Sequence, residues 1–422
     1  MKRISTFLIL GLGLLLLLAL AGRVGRFLSD PPVFSASSML EGLWHNYKSA
    51  YLDPSGRVVD RERPDLSPEI TTSESQAYGM LRAVWMDDQA AFDQIWNWTR
   101  GNLRKPDSSL FAWLYGERPD GSRGILSGMG GMNSASDADT DIALALAFAY
   151  SRWQQPEYLL EAESVIHDIW DMEVETVNGK PVLLANDLEK ESGSRDLLVN
   201  PSYFAPYAYR TFALIDPEHD WNELVDSSYD IIRRSSVLTL DKNKSANLPP
   251  DWLTIDRRTG ELEAAGLANL TSNYGFEAMR LPWRLALDWE WSGEPRAKEM
   301  LSEFRFLGRE WTDHGRILAL YGHDGEPLAD YEKPANYAGT LGYFLVTEPE
   351  TGREIYDHKI QALYDPSRFD WTRPLGYYDS NWAWFGIGLY HRALPNLADP
   401  EAMASLRTGA EPVETQQAAA LE

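Results

Sequence analysis

Carboxylate side chains cluster at three predicted helix starts, where they could perform acid–base chemistry. Glu74 lies in TTSESQAYGM, Glu277 lies in SNYGFEAMR, and ASDADTDIALALAFAYSRW opens with Asp137, Asp139 and Asp141. Hydrolysis of a glycosidic bond needs two carboxyl groups across a cleft, one protonated and the other ionised. The three segments together predict such a site, provided that the fold brings them to one place.

Glu74 and Glu277 each also have an explanation in helix formation alone. Ser73 and Gln76 predict a capping box, which would make Glu74 the first helical residue, where its charge favours the helix dipole. Glu277 stands three residues before Arg280, the spacing of an ordinary helical ion pair. The combination favours catalysis, because the sequence has no nucleophile elbow, phosphate-binding loop or H-E-x-x-H motif.

The three aspartates exceed what helix capping needs. Ser136 is the predicted N-cap and Asp139 the third helical residue, but like charges this close repel one another. The glycine and the ligand spacing of a calcium loop are missing, and the seven histidines are scattered, so we expect neither a metal nor a cofactor. Asp141 points elsewhere by helical geometry, so we expect it to be structural.

The elements that position these carboxylates are predicted to be mostly helices. Apolar residues recur at 3.6-residue spacing in residues 158–170, 221–232 and 301–311. One small hairpin is predicted with its turn at residues 259–260, and residues 105–133 read as a polar loop. No interior linker is visible, so we predict one all-α domain over residues 31–405, followed by a disordered tail over residues 406–422.

Composition limits the classes of function. The formal charge of −24 argues against a nucleic-acid partner, because a polyanion would be repelled. The absence of cysteine excludes disulfides, thiolate metal sites and cysteine nucleophiles. The 16 tryptophans and 20 tyrosines suit a core together with a groove that stacks on sugar rings.

Residues 1–30 have the composition of an export segment. Lys2 and Arg3 precede an apolar run that begins at Ile4, and Ala19-Leu20-Ala21 is an acceptable cleavage site. The alternative is an uncleaved anchor in the inner membrane over residues 4–22. Either way, we expect an exported protein, periplasmic or extracellular, whose membrane contact is limited to this segment.

The motifs resemble glycoside hydrolase family 8 in content and in order. The aspartate segment resembles the family signature, apart from Ala147, and SESQAYGM resembles the general-acid segment. Three further segments resemble the stacking, central and last inner-helix motifs of the family: LFAWLYG, NPSYFAPYAYRTF and GYYDSNWAWFGIGLY. The resemblance implies an (α/α)6 barrel with six inner and six outer helices and long loops that form a substrate cleft. It also implies endo-hydrolysis of β-1,4-linked polysaccharide with inversion.

The resemblance also implies roles for individual residues. Glu74 would be the general acid, Glu277 the general base, and Asp137 would bind and distort the sugar at the cleavage point, supported by Asp139. Trp113 would stack on a glucosyl ring. The remaining substrate-binding residues implied by the matching segments are Tyr78, Tyr203, Arg280, which would orient the base, and Tyr378, near the attacking water.

One departure from the family pattern concerns the base. The cellulase-like branch has Tyr-x-Tyr-Asp-Ala-x-Arg, whereas this chain has Tyr274-Gly275-Phe276-Glu277-Ala278-Met279-Arg280, with a carboxylate one methylene longer. In a chitosanase-like branch an inserted loop supplies the base instead. Glu277 remains our prediction, because it is a carboxylate in the matching position.

The predicted function is an endo-1,4-β-glucanase that acts as a monomer on a cellulose-like polysaccharide, in connection with exopolysaccharide secretion. The same fold could instead act on chitosan, xylan or mixed-linkage glucan. Two further alternatives are a non-catalytic saccharide-binding protein and a structural partner in a polysaccharide-export assembly.

Overall fold

The fold is built mainly from α-helices. The computed structural model describes residues 35–266, 270–400 and 403. The helices in these residues are α1 (Ala36–Tyr51), α2 (Ser73–Trp85), α3 (Gln89–Asn102), α4 (Ser136–Trp153), α5 (Pro156–Glu173), α6 (Asp187–Glu191), α7 (Pro206–Ile215), α8 (Trp221–Val237), α9 (Leu281–Ser292), α10 (Pro295–Glu303), α11 (Arg305–His314), α12 (Pro334–Thr347), α13 (Pro349–Ile355) and α14 (Tyr377–Tyr390).

Six of these helices form an inner ring, and the others pack around it. The inner helices α2, α4, α7, α9, α12 and α14 are buried along most of their length. Each contacts the next in that order. Tyr78 of α2 packs against Trp382 and Phe385 of α14, which closes the ring. The predicted (α/α)6 barrel is therefore confirmed, with α1, α3, α5, α8, α10–α11 and α13 as the outer layer.

Short antiparallel strands lie in the loops between the helices. They are β1 (Thr71–Thr72), β2 (Leu114–Glu117), β3 (Arg123–Ile125), β4 (Val174–Val177), β5 (Lys180–Leu183), β6 (Asp196–Val199), β7 (Leu253–Asp256), β8 (Leu262–Ala264), β9 (Tyr364–Asp365) and β10 (Asp370–Trp371). Strands β7 and β8 form the predicted hairpin around residues 259–260. Residues 105–133 are more ordered than predicted, because β2 and β3 lie within them and β2 pairs with β1.

Helix α2 begins one residue earlier than predicted. Thr72 is the N-cap: its hydroxyl accepts the Ser75 N–H at 3.0 Å, and the Ser75 hydroxyl accepts the Thr72 N–H at 3.1 Å. The predicted capping box of Ser73 and Gln76 is wrong, because the Gln76 amide is buried and bonds to groups outside the helix. Glu74 is therefore the second helical residue and stays in the first turn.

The start of α4 and the segment 301–311 also differ from prediction. Ala135 takes the N-cap position without a side-chain bond, and Ser136 is the first helical residue. The Ser136 hydroxyl instead donates to the Leu184 carbonyl at 2.6 Å, so tertiary contact outweighs local capping. The segment 301–311 is divided between α10 and α11, with the break at Phe304.

A buried ion pair joins α4 to α9 inside the barrel. Arg284 donates to both carboxylate oxygens of Asp141, at 3.1 and 3.0 Å, and to the Tyr207 hydroxyl at 2.7 Å. Both charged side chains are almost fully buried. This geometry gives Asp141 a structural role below the candidate site.

We expect Asp141→Ala to lower the free energy of unfolding by about 3–5 kcal/mol, because it leaves Arg284 buried without its carboxylate partner. Denaturant unfolding monitored by tryptophan fluorescence measures this loss. The double variant Asp141→Leu/Arg284→Met removes both charges and should lose less. A larger loss in the double variant would contradict the explanation.

No helix in the described ranges has the length and apolar character needed to cross a membrane. The predicted export segment, residues 1–30, and the predicted tail, residues 406–422, lie outside the described residues.

Candidate active site

The guanidinium group of Arg280 joins the three predicted carboxylate segments. Arg280 ends the short 3-10 turn Ala278–Arg280 that leads into α9, and its side chain is only 1% exposed. Its Nη1 donates to Glu74 Oε2 at 3.1 Å and to Asp137 Oδ2 at 2.9 Å, while its Nη2 donates to Glu277 Oε2. Segments about 60 to 200 residues apart in sequence therefore meet at one cation, as predicted for a single site.

The barrel brings these groups together because the inner helices begin at the same face. Glu74 lies in the first turn of α2, Asp137 in the first turn of α4, and Tyr377 opens α14. Glu277 and Arg280 directly precede α9. Helix N-termini favour negative charge, so this face of the barrel suits a group of carboxylates.

Glu74 has the properties of an acid that stays protonated. Burial raises the pKa of Glu74 to about 8, and the charges of Asp137 and Glu277 add to this rise, whereas Arg280 opposes it. The Tyr377 hydroxyl donates to Glu74 Oε1 at 3.4 Å. The Glu74 side chain remains 24% exposed, so a substrate can reach its carboxyl group. Burial thus outweighs the opposite effect of the helix N-terminus, which is smaller.

Glu277 shares Arg280 with Glu74 and has Asn200 as a second partner. Its Oε2 accepts the Asn200 amide at 2.9 Å and the Arg280 guanidinium. Burial raises the pKa of Glu277 above its ordinary value, as does Asp137, whereas Arg280 and Asn200 oppose the rise. Among the described residues, both hydrogen bonds go to Oε2, and the side chain is 31% exposed, which leaves Oε1 for a water molecule.

Asp137 accepts from the same Arg280 nitrogen as Glu74 and is almost fully buried. Its Oδ2 accepts from Arg280, and its Oδ1 accepts the Ala138 N–H at 2.9 Å. Asp137 therefore shares the Arg280 guanidinium group with Glu74 and Glu277.

Asp251, which sequence reasoning missed, holds the loop that carries Glu277. Its Oδ1 accepts the backbone N–H groups of Gly275, Glu277 and Ala278 at 3.1, 3.1 and 2.7 Å. Burial raises the pKa of Asp251 to about 7, against these backbone hydrogen bonds. A Cβ at Gly275 would lie 2.6 Å from Asp251 Oδ2, so only glycine lets the loop approach this closely.

Trp113 is fixed beside the start of α2. Its carbonyl accepts the Ser73 N–H at 3.1 Å, and its N–H donates to the Asn133 carbonyl at 2.9 Å. The indole N–H donates to the Gly130 carbonyl at 3.0 Å, and the side chain is partly exposed. The backbone of Trp113 thus lies next to the segment that carries Glu74.

The predicted tyrosines occupy different depths. The Arg280 guanidinium lies 5.2 Å from the centre of the Tyr203 ring, and the Tyr378 hydroxyl donates to the Phe276 carbonyl at 2.6 Å. Tyr78 is only 3% exposed and its hydroxyl has no partner among the described residues. Tyr203 and Tyr378 therefore line the site, whereas Tyr78 supports it from below.

Asp139 does not reach the cleft surface. It is fully buried, its Oδ1 accepts the Phe111 N–H at 3.1 Å, and its carboxyl group lies against that of Glu173. Asp139 therefore supports the site from behind and does not contact solvent. No signal in the sequence linked Glu173 to Asp139.

Three further polar residues complete the site. Asn200 donates to Glu277, Ser202 accepts from Arg280 at 3.1 Å, and Tyr377 donates to Glu74. The Asn-Pro pair at residues 200–201 is a turn signal, and Asn200 does cap the 3-10 turn Pro201–Tyr203. In the described part of the chain, no group of three or more His, Asp and Glu side chains has the arrangement of a metal site.

A helical barrel that holds one carboxyl group of raised pKa, a second paired with a guanidinium group, and a partly exposed tryptophan nearby has the parts that a glycoside hydrolase needs. Residues 31–319 match the family model described as Glycosyl hydrolases family 8. The chain therefore belongs to glycoside hydrolase family 8, as its motifs predicted.

Similar proteins support this assignment. An endoglucanase of Xanthomonas axonopodis pv. citri is 31% identical over 378 residues, which cover 87% of this chain and 90% of the relative. Endoglucanase 2 of Ruminiclostridium josui is 33% identical over 271 residues, 63% of this chain and 53% of the relative, so the chain spans about half of that protein. The crystal structure of an endo-1,4-D-glucanase from Vibrio fischeri has a TM-score of 0.67 at 25% identity, covering 83% of this chain and 94% of that one.

Proposed function

We propose that this protein is an endo-acting, inverting glycoside hydrolase that cleaves β-1,4-glucan. The observation that carries the proposal is the pair formed by Glu74 and Glu277 around Arg280. The raised pKa of Glu74, about 8, keeps it protonated at neutral pH, while Arg280 and Asn200 hold Glu277 as a carboxylate. An acid and a base that differ in this way are the two groups which glycosidic hydrolysis needs.

The proposed reaction is a single displacement. Glu74 donates its proton to the glycosidic oxygen, while Glu277 takes a proton from a water through Oε1. The water attacks the anomeric carbon from the face opposite to the leaving group, so the configuration inverts. Asp137 accepts hydrogen bonds from the distorted sugar, Trp113 stacks on a neighbouring ring, and Arg280 keeps the base ionised.

The relatives support the substrate class. The Xanthomonas protein, of which this chain covers 90%, is an endoglucanase, and so is the Ruminiclostridium protein. We propose a connection with exopolysaccharide secretion, which the predicted export segment at residues 1–30 and this substrate class support. The proposed partner is a β-linked polysaccharide, and we propose that the enzyme acts as a monomer.

The proposal is tested by following cellohexaose hydrolysis with time-resolved proton NMR. New α-anomers that appear before mutarotation would support cleavage of a β-1,4-glucan with inversion. New β-anomers would contradict inversion and the assignment of Glu277 as base.

Viscosity loss of soluble polymers then tests the substrate. A faster fall with carboxymethyl cellulose than with chitosan, xylan or mixed-linkage glucan supports the proposal, and a preference for one of these three would replace it. Affinity for cellohexaose without turnover of any polymer, unchanged in Glu74→Gln, would indicate a saccharide-binding protein.

We further propose that the protein is exported to the periplasm or beyond. Cell fractionation and N-terminal sequencing of the recovered protein distinguish a cleaved signal from an anchor over residues 4–22. Recovery with the cytoplasmic fraction would contradict export.

We expect Asp137→Asn to move both limbs of the kcat/KM pH profile to lower pH, besides reducing the rate. Burial is the main cause of the raised pKa of Glu74 and of Glu277, and the Asp137 charge adds to it in both. Removing that charge lowers both pKa values. The alkaline limb, set by loss of the Glu74 proton, and the acid limb, set by protonation of Glu277, therefore both move to lower pH. The exposed control Asp313→Asn on α11 should leave both limbs in place. An unmoved alkaline limb in Asp137→Asn would contradict the mechanism.

A further inference from the structure

A second pair of buried carboxyl groups lies close to Asp137, and the proposed mechanism does not use it. Asp139 on α4 and Glu173, the last residue of α5, are both fully buried. Their carboxyl groups lie within hydrogen-bonding distance of each other. Asp139 Oδ1 accepts the Phe111 N–H at 3.1 Å, and Glu173 Oε1 accepts the Ser134 hydroxyl at 2.5 Å.

The other two oxygens of this pair have no donor. Asp139 Oδ2 and Glu173 Oε2 are buried without a hydrogen-bond partner among the described residues. Buried polar atoms are nearly always hydrogen-bonded, and two ionised carboxylates in contact repel each other. A single proton between the two groups removes one charge and supplies the missing donor.

The surrounding charges point the same way. Asp137 faces the pair and adds negative charge, whereas Lys105, the cation that acts on Glu173, is already paired with Asp187. Asp187 in turn accepts the Ser134 N–H at 3.0 Å, and Tyr209 is a further titratable group near Glu173. Burial raises the pKa of Asp139 and raises that of Glu173 to about 8.

The hydrogen bonds that Asp139 and Glu173 accept from Phe111 and Ser134 hold the two segments next to Trp113. Asp139 holds the backbone of Phe111, two residues before Trp113. Glu173 holds Ser134, whose neighbour Asn133 accepts the Trp113 N–H at 2.9 Å. The pair therefore fixes both the segment that carries the tryptophan and the segment against which its backbone bonds.

We propose that Asp139 and Glu173 share one proton at neutral pH and that Glu173 is a positioning residue for Trp113. The shared proton is independent of the reaction, whereas its effect on substrate affinity rests on the proposed function. Above the pH at which the pair loses the proton, two adjacent buried charges loosen both segments around Trp113.

The first test measures the equilibrium constant of unfolding against pH in a Glu74→Gln background, which removes the other strongly perturbed glutamate. The folded state holds one proton more than the unfolded state between the ordinary pKa of glutamate, 4.5, and about 8. As the pH rises across this window, the pair should therefore increase the equilibrium constant of unfolding by up to about tenfold per pH unit. Adding Glu173→Gln should remove this rise, because its amide N–H donates to Asp139 in place of the proton.

The matched control is Glu163→Gln, the same substitution on the exposed side of α5, which should keep the full pH dependence. Asp139→Asn is the second variant and should behave like Glu173→Gln. Unfolding constants that depend on pH in parallel in the background protein and in both amide variants would overturn the shared proton. Failure of both variants to fold would also overturn it, since an amide–carboxylate hydrogen bond should replace the original one.

Infrared spectroscopy gives an independent reading of the proton. At pH 6.5 the carbonyl stretch of protonated carboxylic acid should be weaker in both amide variants than in the Glu74→Gln parent. Equal intensity in all three proteins would overturn the proposal.

The positioning role is tested with active protein. We expect Glu173→Leu to weaken cellohexaose binding, measured by tryptophan fluorescence, and to raise KM more than it lowers kcat, with Glu173→Gln restoring both at pH 6. Unchanged binding in Glu173→Leu would overturn the positioning role. Absence of binding in the wild-type protein would be a failure of the proposed function, and the unfolding and infrared measurements would still decide whether the proton is shared.

Discussion

Replacing Glu74 by glutamine is expected to lower kcat on cellohexaose by about 10²–10⁴-fold and to remove the alkaline limb of the pH profile near 8. Glutamine keeps the shape of the side chain and can still accept from Arg280, but it cannot give a proton to the leaving oxygen. The loss should therefore appear in kcat rather than in KM. Steady-state kinetics on cellohexaose between pH 5 and 9 measure both effects.

The leaving group provides the sharper control for Glu74. A dinitrophenyl cello-oligosaccharide releases a stable phenolate that needs no proton, so Glu74→Gln should cleave it with a much smaller loss. The matched control Glu163→Gln makes the same substitution at an exposed glutamate on α5. It should leave kcat on cellohexaose close to that of the wild type. Equal losses of Glu74→Gln on both substrates would show that Glu74 does not act as the acid.

Burial is the main cause of the raised pKa of Glu74, and the carboxylates around Arg280 add to it. Two guanidinium groups, those of Arg280 and Arg284, face Asp137, Asp141 and Glu277 as well as Glu74. Four ionised carboxylates against two buried cations would leave two uncompensated charges in a poorly solvated place. Arg284 is committed to Asp141 by two hydrogen bonds, so Arg280 alone serves the other three. Neutral Glu74 lowers the imbalance and leaves Arg280 to Asp137 and Glu277.

The helical architecture could be predicted because its signals are local and repeated. The apolar spacing in residues 158–170 and 221–232 corresponds to α5 and α8, which bury one side against the inner ring. The turn at residues 259–260 likewise contains its own signal. Glu74 and Asp137 could be predicted for the same reason, because acidic residues in the first turn of a helix can be recognised from the sequence alone.

Long-range contacts account for what could not be predicted. Local rules favoured Ser73 and Ser136 as caps, but Gln76 and the Ser136 hydroxyl are used by partners elsewhere in the chain. Asp251 lies 24 to 27 residues from the backbone groups it holds, and Glu173 lies 39 residues from Ser134. No periodicity or cap signal identifies such carboxylates, because their role arises only when folding buries them together.

Replacing Glu277 by glutamine is expected to lower kcat by about 10²–10⁴-fold on every substrate, whatever its leaving group. The water, rather than the leaving oxygen, loses its proton acceptor, so an activated phenolate cannot compensate. Because burial raises the pKa of Glu277, the wild-type acid limb should lie above the ordinary glutamate range, and it should vanish in Glu277→Gln. Kinetics on cellohexaose and on the dinitrophenyl substrate measure the loss, and pH profiles measure the limb.

Glu277→Asp tests the length of the side chain, since aspartate is the residue of the cellulase-like branch at this position. It retains a carboxylate and should keep most of the activity lost in Glu277→Gln. Asp251 is the other carboxylate at this loop, but its Oδ1 already accepts three backbone N–H groups. Asp251→Asn keeps an oxygen for these bonds and should therefore lose less activity than Glu277→Gln. Full activity in Glu277→Gln with a large loss in Asp251→Asn would instead place the base at Asp251.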